Sequence, residues 1–293
     1  MAQVPQPTSA MQPVLRALRL PHLGAGSKIA ALVLAVIVLL TLLAGWIAPH
    51  DPLAMNPMAR LQGPIEGHPL GTDNFGRDIF SRVLIGGQLS LIIGIATAVV
   101  SVLLGLIIGM IAGFFRTADA IIMRAMDALM AIPSILLAIA LVALNGPSVG
   151  SVIAAITIPE IPRVVRLVRA VVLSAREEPY VEAAIAAGTP GWLIMRRHLM
   201  PNTVAPLIIQ GTYICASAIL TEAILSFLGA GINPETPSWG NIMAEGRIYF
   251  QINPGIVLWP GLVVSITILS INLLGDAVRD ALDPRMAKRG IER

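Results

Sequence analysis

Charge is what this chain has least of. Asp, Glu, Lys and Arg make up 13% of its 293 residues, about half the share usual in a soluble domain. Lysine is almost missing, with Lys28 and Lys288 the only two. A phosphate-cradling loop of the form Gly-x4-Gly-Lys-Ser/Thr needs a lysine in a glycine-rich setting. These two follow Ser27 and Ala287, so the chain cannot be an ATPase by that route. His-Glu-x-x-His and Gly-x-Ser-x-Gly do not occur either, and neither a metallopeptidase nor a serine-hydrolase centre is expected. Cys215 is the single cysteine. It cannot form an intrachain disulfide, and in its apolar run it reads as a small packing residue. His50, His68 and His198 are not spaced as metal ligands and form no two-histidine cluster, so no metal site and no catalytic residue is expected.

What is there is apolar sequence in long blocks. Hydrophobic residues make up 56% of the chain, and Ile29 to Ala48, Val83 to Phe115, Ala128 to Pro159, Met200 to Thr221 and Ile248 to Gly275 contain no charge. A spanning helix needs about 20 mostly apolar residues. Only helices or closed barrels satisfy their backbone in lipid, and these runs are too continuous for alternating barrel strands. The spacing predicts an all-α, polytopic membrane protein with six transmembrane helices. They divide the chain into a tail at 1–27, a first span at 28–49, an outer loop at 50–87, a core at 88–276 and a basic tail at 277–293. Within the core lie a charged loop at 173–202 and a second outer loop at 229–254, rich in Gly, Pro and Asn. Pro159, Glu160, Pro162 and Arg163 interrupt the fourth span and predict a bend there or an exit from the membrane.

Basic residues choose the orientation. Sixteen of the 20 lysines and arginines fall in the two tails and the loops on one side, and Arg60, Arg77, Arg82 and Arg247 fall on the other. By the positive-inside rule, both termini and the 173–202 loop are cytoplasmic. The same rule accounts for the net charge of +3. The basic residues sit beside apolar runs with no lysine-rich tract, and no nucleic-acid partner is expected.

The charged loop is the most distinctive stretch. Glu177, Glu178 and Glu182 precede an alanine-rich segment, as suits a helix N-terminus, where the dipole favours negative charge. Gly188-Thr189-Pro190-Gly191 breaks that helix, and Trp192 to Met200 resumes it. Two short helices with a sharp turn would form either a lever whose small alanine side chains fit a groove on a partner, or an amphipathic interfacial segment with no partner.

This loop resembles the EAA loop of ABC-importer permeases. The matching residues are Glu182-Ala183-Ala184-x3-Gly188, then nine residues, then His198-Leu199-Met200-Pro201. The commonest form has Ile where His198 stands. Arg197-His198-x-x-Pro201-Asn202 is similar to the form in the dipeptide, oligopeptide and nickel branch. Three more blocks point the same way: His68-Pro69-Leu70-Gly71-Thr72-Asp73 with Gly76-Arg77-Asp78, Leu225-Ser226-Phe227-Leu228-Gly229 with Pro237-Ser238-Trp239-Gly240, and Asn272-Leu273-Leu274-Gly275-Asp276 with Arg279-Asp280. The resemblance implies a type I-like importer permease in the bacterial inner membrane, of the second-permease type, passing a peptide-like or nickel substrate. It implies a homologous second permease, two cytoplasmic ATPases that bind ATP and Mg, and a solute-binding protein as partners. No cofactor would be held by this chain.

The resemblance also assigns roles. Glu182, Ala183, Ala184, Gly188, Arg197, His198 and Pro201 would couple to the ATPases. Glu222 lies inside an apolar run, where an ionisable group is costly. With Ser226 it is expected on the translocation path, or in a polar contact to the neighbouring permease. Asp73, Arg77 and Asp78 would dock the binding protein or tie down the outer loop. Arg163, Arg166 and Arg169 share a helical face and are expected to anchor it at the membrane surface, and Glu160 to pair with Arg163. A self-sufficient secondary transporter is the rival expectation. It should show repeated halves around a midplane site, and no such repeat is visible.

Overall fold

A computed structural model describes residues 24–282. The N-terminal tail before Gly24 and most of the basic tail lie outside the described residues. Among the described residues, nine helices of eight residues or more carry the fold: α1 Ala25–Leu42, α2 Ile79–Phe114, α3 Arg116–Met130, α4 Ser134–Asn145, α5 Val149–Arg176, α6 Pro179–Ala186, α7 Met200–Phe227, α8 Trp239–Gly246 and α9 Gly255–Leu282. No strand forms among the described residues.

α1, α2, α9 and the continuous run Gly191–Phe227 that ends in α7 are long and apolar enough to cross a membrane. α3 and α4 pass the same test together, but they meet at 89° across Pro133. Proline lacks an N–H and keeps the residue before it out of the helical region, so the single span expected there is two helices. α5 has 28 residues but carries Glu160, Arg163, Arg166 and Arg169.

Pro159 and Pro162 do not break the chain, because α5 runs helically through both. Packing supplies the reason. Gly105, Gly109 and Gly113 line one face of α2, and Val164, Val168 and Val172 of α5 seat directly on them. A Cβ at Gly109 would lie 2.7 Å from the Val168 Cβ. Prolines are tolerated in membrane helices where neighbours hold the chain, and close approach through small residues is how such helices pair.

α2 also begins earlier than the apolar run. Asp78 is its N-cap and accepts from the Ser81 N–H at 2.8 Å. Its 36 residues extend about 54 Å, well beyond an apolar layer of about 30 Å, so one end must stand in polar surroundings. The second outer loop likewise holds a buried helix. Ser238 caps α8, and Trp239, fully buried, donates its indole N–H to the Val83 carbonyl at 2.9 Å.

The arginines of α5 that share a helical face are each paired with a carboxylate. Arg166 pairs with Asp127 of α3 at 2.6 Å, and Arg169 donates to Asp119 of α3 at 2.6 Å. Arg163 pairs with Glu160 at 3.0 Å, as its i, i+3 spacing predicts.

Candidate functional site

The loop between α5 and α7 is a rooted lever. α6 ends in a two-bond cap: Gly188 N–H donates to the Ile185 carbonyl at 2.9 Å and Thr189 N–H to Ala184 at 3.1 Å. That pattern requires a left-handed residue at its centre, and Gly188 has φ +74°. A second short helix, Gly191–Ile194, leads through a π-helical turn, Met195–Leu199, directly into α7. Pro201 stands in the first turn of α7, where a missing N–H is tolerated.

The lever has two faces. Val181, Ile194 and Leu199 are buried in one apolar cluster with Val168 and Val172 of α5, Met110 of α2 and Leu207 of α7. Glu182, Ala183, Ile185, Ala186 and Gly188 are exposed, as are Trp192 and Arg197. Motif spacing did not single out the residues that fasten the lever. Arg176 donates to the Phe114 carbonyl at the end of α2 at 2.9 Å and lies over the Phe114 ring. Gly191 abuts the same ring, 2.9 Å from the place a Cβ would take. Asn202 donates to the Tyr180 hydroxyl at 3.0 Å and to the His198 carbonyl at 2.6 Å, joining α6 to the π turn. A cleft of about 580 Å³ opens beside them, lined by Ser174, Glu178, Tyr180 and Asn202 together with Val171 and Ala175.

On the opposite side of the bundle, Asp73 and Arg77 meet two further charges. Arg77 Nε donates to Asp73 at 2.6 Å, Arg82 pairs with Asp73, and both arginines reach Glu245 of α8, Arg82 at 2.8 Å. Asp73 and Arg82 are fully buried and Arg77 nearly so. Gly76, at φ +75°, lets the turn between them pass against the Asn56 backbone. Asp78 is buried as the α2 cap. These three predicted residues are thus brought together, but their side chains face into the protein and hold the outer loop on α2 and α8.

Glu222 and Ser226 are also together and also buried. Glu222 accepts from Ser90 of α2 at 3.3 Å, from Ser226 at 3.0 Å and from Ser238 at 2.9 Å. Trp239 N–H donates to the same Ser90 hydroxyl at 3.2 Å. The carboxylate pins α8 to α2 and α7 within this chain. The expected absence of a two-histidine cluster is corrected: the His50 and His68 rings stack at 4.6 Å, beside Asp78.

A bundle of apolar, membrane-length helices with a short two-helix lever rooted among them has the architecture of a membrane transport component. The comparisons agree. Residues 101–288 match the family described as binding-protein-dependent transport system inner membrane component, and residues 26–64 match the N-terminal TM domain of oligopeptide transport permease C. A putative peptide transport system permease protein of Brucella abortus is 46% identical over 297 residues, covering 99% of this chain and all of the relative. The di/tripeptide transport system permease protein DppC of Pseudomonas aeruginosa is 42% identical over 262 residues, 87% of this chain and 86% of the relative. The chain of an inward-facing MetNI methionine ABC transporter structure superposes with a TM-score of 0.53 at 20% identity, covering 68% of this chain and 96% of that one.

The chain belongs to the binding-protein-dependent inner membrane permease family, and it is a permease subunit of an ABC importer. Its fold is that of the type I importer permeases. The family is not catalytic, and ATP is used by separate subunits. That membership displaces the self-sufficient secondary transporter.

Proposed function

We propose that this chain is one of two different permeases in a peptide importer, and that Glu182–Gly188 receives the movement of the ATPases. The two-faced lever carries the reading: Ala183 and Ala186 offer a small-residue surface outward, while Val181, Ile194 and Leu199 tie the same element into α2, α5 and α7. A displacement of the exposed face therefore moves three long helices rather than a loose loop. Glu182 gives the surface a negative charge for a cationic partner, Arg197 and His198 border it, and Pro201 starts the helix it drives.

Six passages satisfy the topology: α1, α2, the bent pair α3–α4, α5, α7 and α9. Both termini and the lever then lie in the cytoplasm, in keeping with the charge asymmetry. Two ATPases with bound ATP and Mg sit beneath the permease pair, and a solute-binding protein delivers substrate at the face formed by the outer loop and α8. Asp73, Arg77 and Asp78 act there by shaping the docking surface from inside. Glu222 and Ser226 act by holding α8 in place above the path. The peptide class of substrate rests on relatives named for dipeptide, di/tripeptide and glutathione transport.

The test is ATP-dependent peptide uptake by the whole complex in proteoliposomes. Glu182→Lys and Ala183→Trp should lower uptake about tenfold or more, the scale of a lost coupling energy, with the chain still inserted and the complex still binding ATP. Unchanged uptake in both variants overturns the coupling role, and uptake by this chain without ATPases overturns the importer reading.

A further inference from the structure

We infer that His50, His68 and Asp78 form a site for a transition-metal cation of the zinc type, on the side of the protein opposite the lever. Three separate segments meet there. His50 follows α1, His68 lies on a tight turn paired with Ile65, and Asp78 caps α2. His68 Nδ1 lies 3.0 Å from Asp78 Oδ1, and His50 Nδ1 lies 4.0 Å from Asp78 Oδ2. One ligand atom from each residue falls within 4.8 Å of the others.

The distances fit a partly formed site. Zinc binds imidazole nitrogen and carboxylate oxygen at about 2.0–2.2 Å, which sets neighbouring ligand atoms about 3.0–3.5 Å apart. The His68–Asp78 pair already has that separation. Only His50 must close in, and its side chain, stacked on the His68 ring, is 41% exposed. Asp78 is rigid by comparison: it is fully buried, and Oδ2 accepts from the Ser81 N–H at 2.8 Å and the Ser81 hydroxyl at 2.7 Å. The His50 N–H donates to that same Ser81 hydroxyl at 3.2 Å, which holds the His50 backbone over the site. Those serine bonds fix the ligating carboxylate as outer-shell partners do in metal centres.

Ligand chemistry selects the metal class. Two imidazoles and one carboxylate suit Zn²⁺, Ni²⁺ or Cu²⁺ over Mg²⁺ or Ca²⁺, which prefer oxygen. Three protein ligands on an accessible face leave positions for water. A bound ion would cross-link the end of α1, the outer turn and the α2 N-terminus.

The experiment is calorimetric titration of Zn²⁺ into the chelator-treated, full-length chain in lipid nanodiscs, with Co²⁺ absorption as the report of inner-shell ligands. One ion per chain is expected. His50→Gln and His68→Gln should each weaken binding about tenfold or more and remove the Co²⁺ ligand-field bands, while His198→Gln binds as the wild type does. Zn²⁺ should raise the unfolding temperature of the wild type and not of His50→Gln, whose exposed side chain leaves the metal-free fold intact. No binding, or binding unchanged in both outer histidine variants, overturns the site and leaves a hydrogen-bonded cluster only.

Discussion

At the scale of the residue, two side chains show how one position serves the whole. Gly188 has open space where a Cβ would go, so only its φ of +74° constrains it. Gly188→Ala should therefore cost about 1 kcal/mol from the left-handed backbone alone, with Gly188→Asn costing less, as thermal unfolding of the two variants would show. Glu222 is the opposite case, constrained entirely by partners. Glu222→Ala strands the hydroxyls of Ser90, Ser226 and Ser238. A loss of about 1–3 kcal/mol is expected for such stranded groups, whereas Glu222→Gln keeps one oxygen to accept from Ser226 and Ser238 and turns an N–H2 donor toward Ser90, and should cost less. Equal losses in both variants would show that the negative charge itself matters.

Elements are decided by faces. α2 and α5 pair because a glycine row on one meets a valine row on the other. A side chain at Gly109 would press on Val168 at 2.7 Å and on the Val165 carbonyl at 2.9 Å. Gly109→Val is expected to cost about 1–3 kcal/mol by overpacking and to lower the amount of folded chain recovered from membranes. A simultaneous Val168→Ala should restore part of it. The same pairing explains why Pro159 and Pro162 do not break α5, which local propensity predicted they would. α8 was hidden for a related reason. Its surroundings are rich in Gly, Pro and Asn, yet Ser238 followed by an apolar Trp-x-x-Ile stretch is a capping signal that a span-length window passes over.

At the scale of the molecule, two clusters hold the ends of the bundle. At the lever end it is the apolar cluster around Val168, Leu199 and Leu207. At the other end it is the charged quartet of buried Asp73, Arg77 and Arg82 with half-buried Glu245. Removing one member leaves buried charge without compensation. Asp73→Ala, which exposes two arginines to that fate, should cost about 3–5 kcal/mol, read as the unfolding midpoint of the purified chain. Asp73→Asn should cost less, because the backbone N–H groups of Phe75 and Arg77 keep their acceptor.

Helical class and membrane environment followed from the sequence alone, because lipid forces long uncharged runs and internal backbone pairing. The lever was legible for the same reason: a polar, alanine-rich island between apolar runs is visible without coordinates, and Gly188 marks its turn. Partners were not legible. The Asp73–Glu245 quartet, the three serines on Glu222, the Asn202 bridge and the His50–His68 stack each join segments far apart in the chain. Sequence spacing encodes neighbours along a helix, whereas these contacts arise only when the outer loop, α2, α6, α7 and α8 come together. That packing turned the predicted docking and path residues inward, and it brought together two histidines whose spacing had argued against a site.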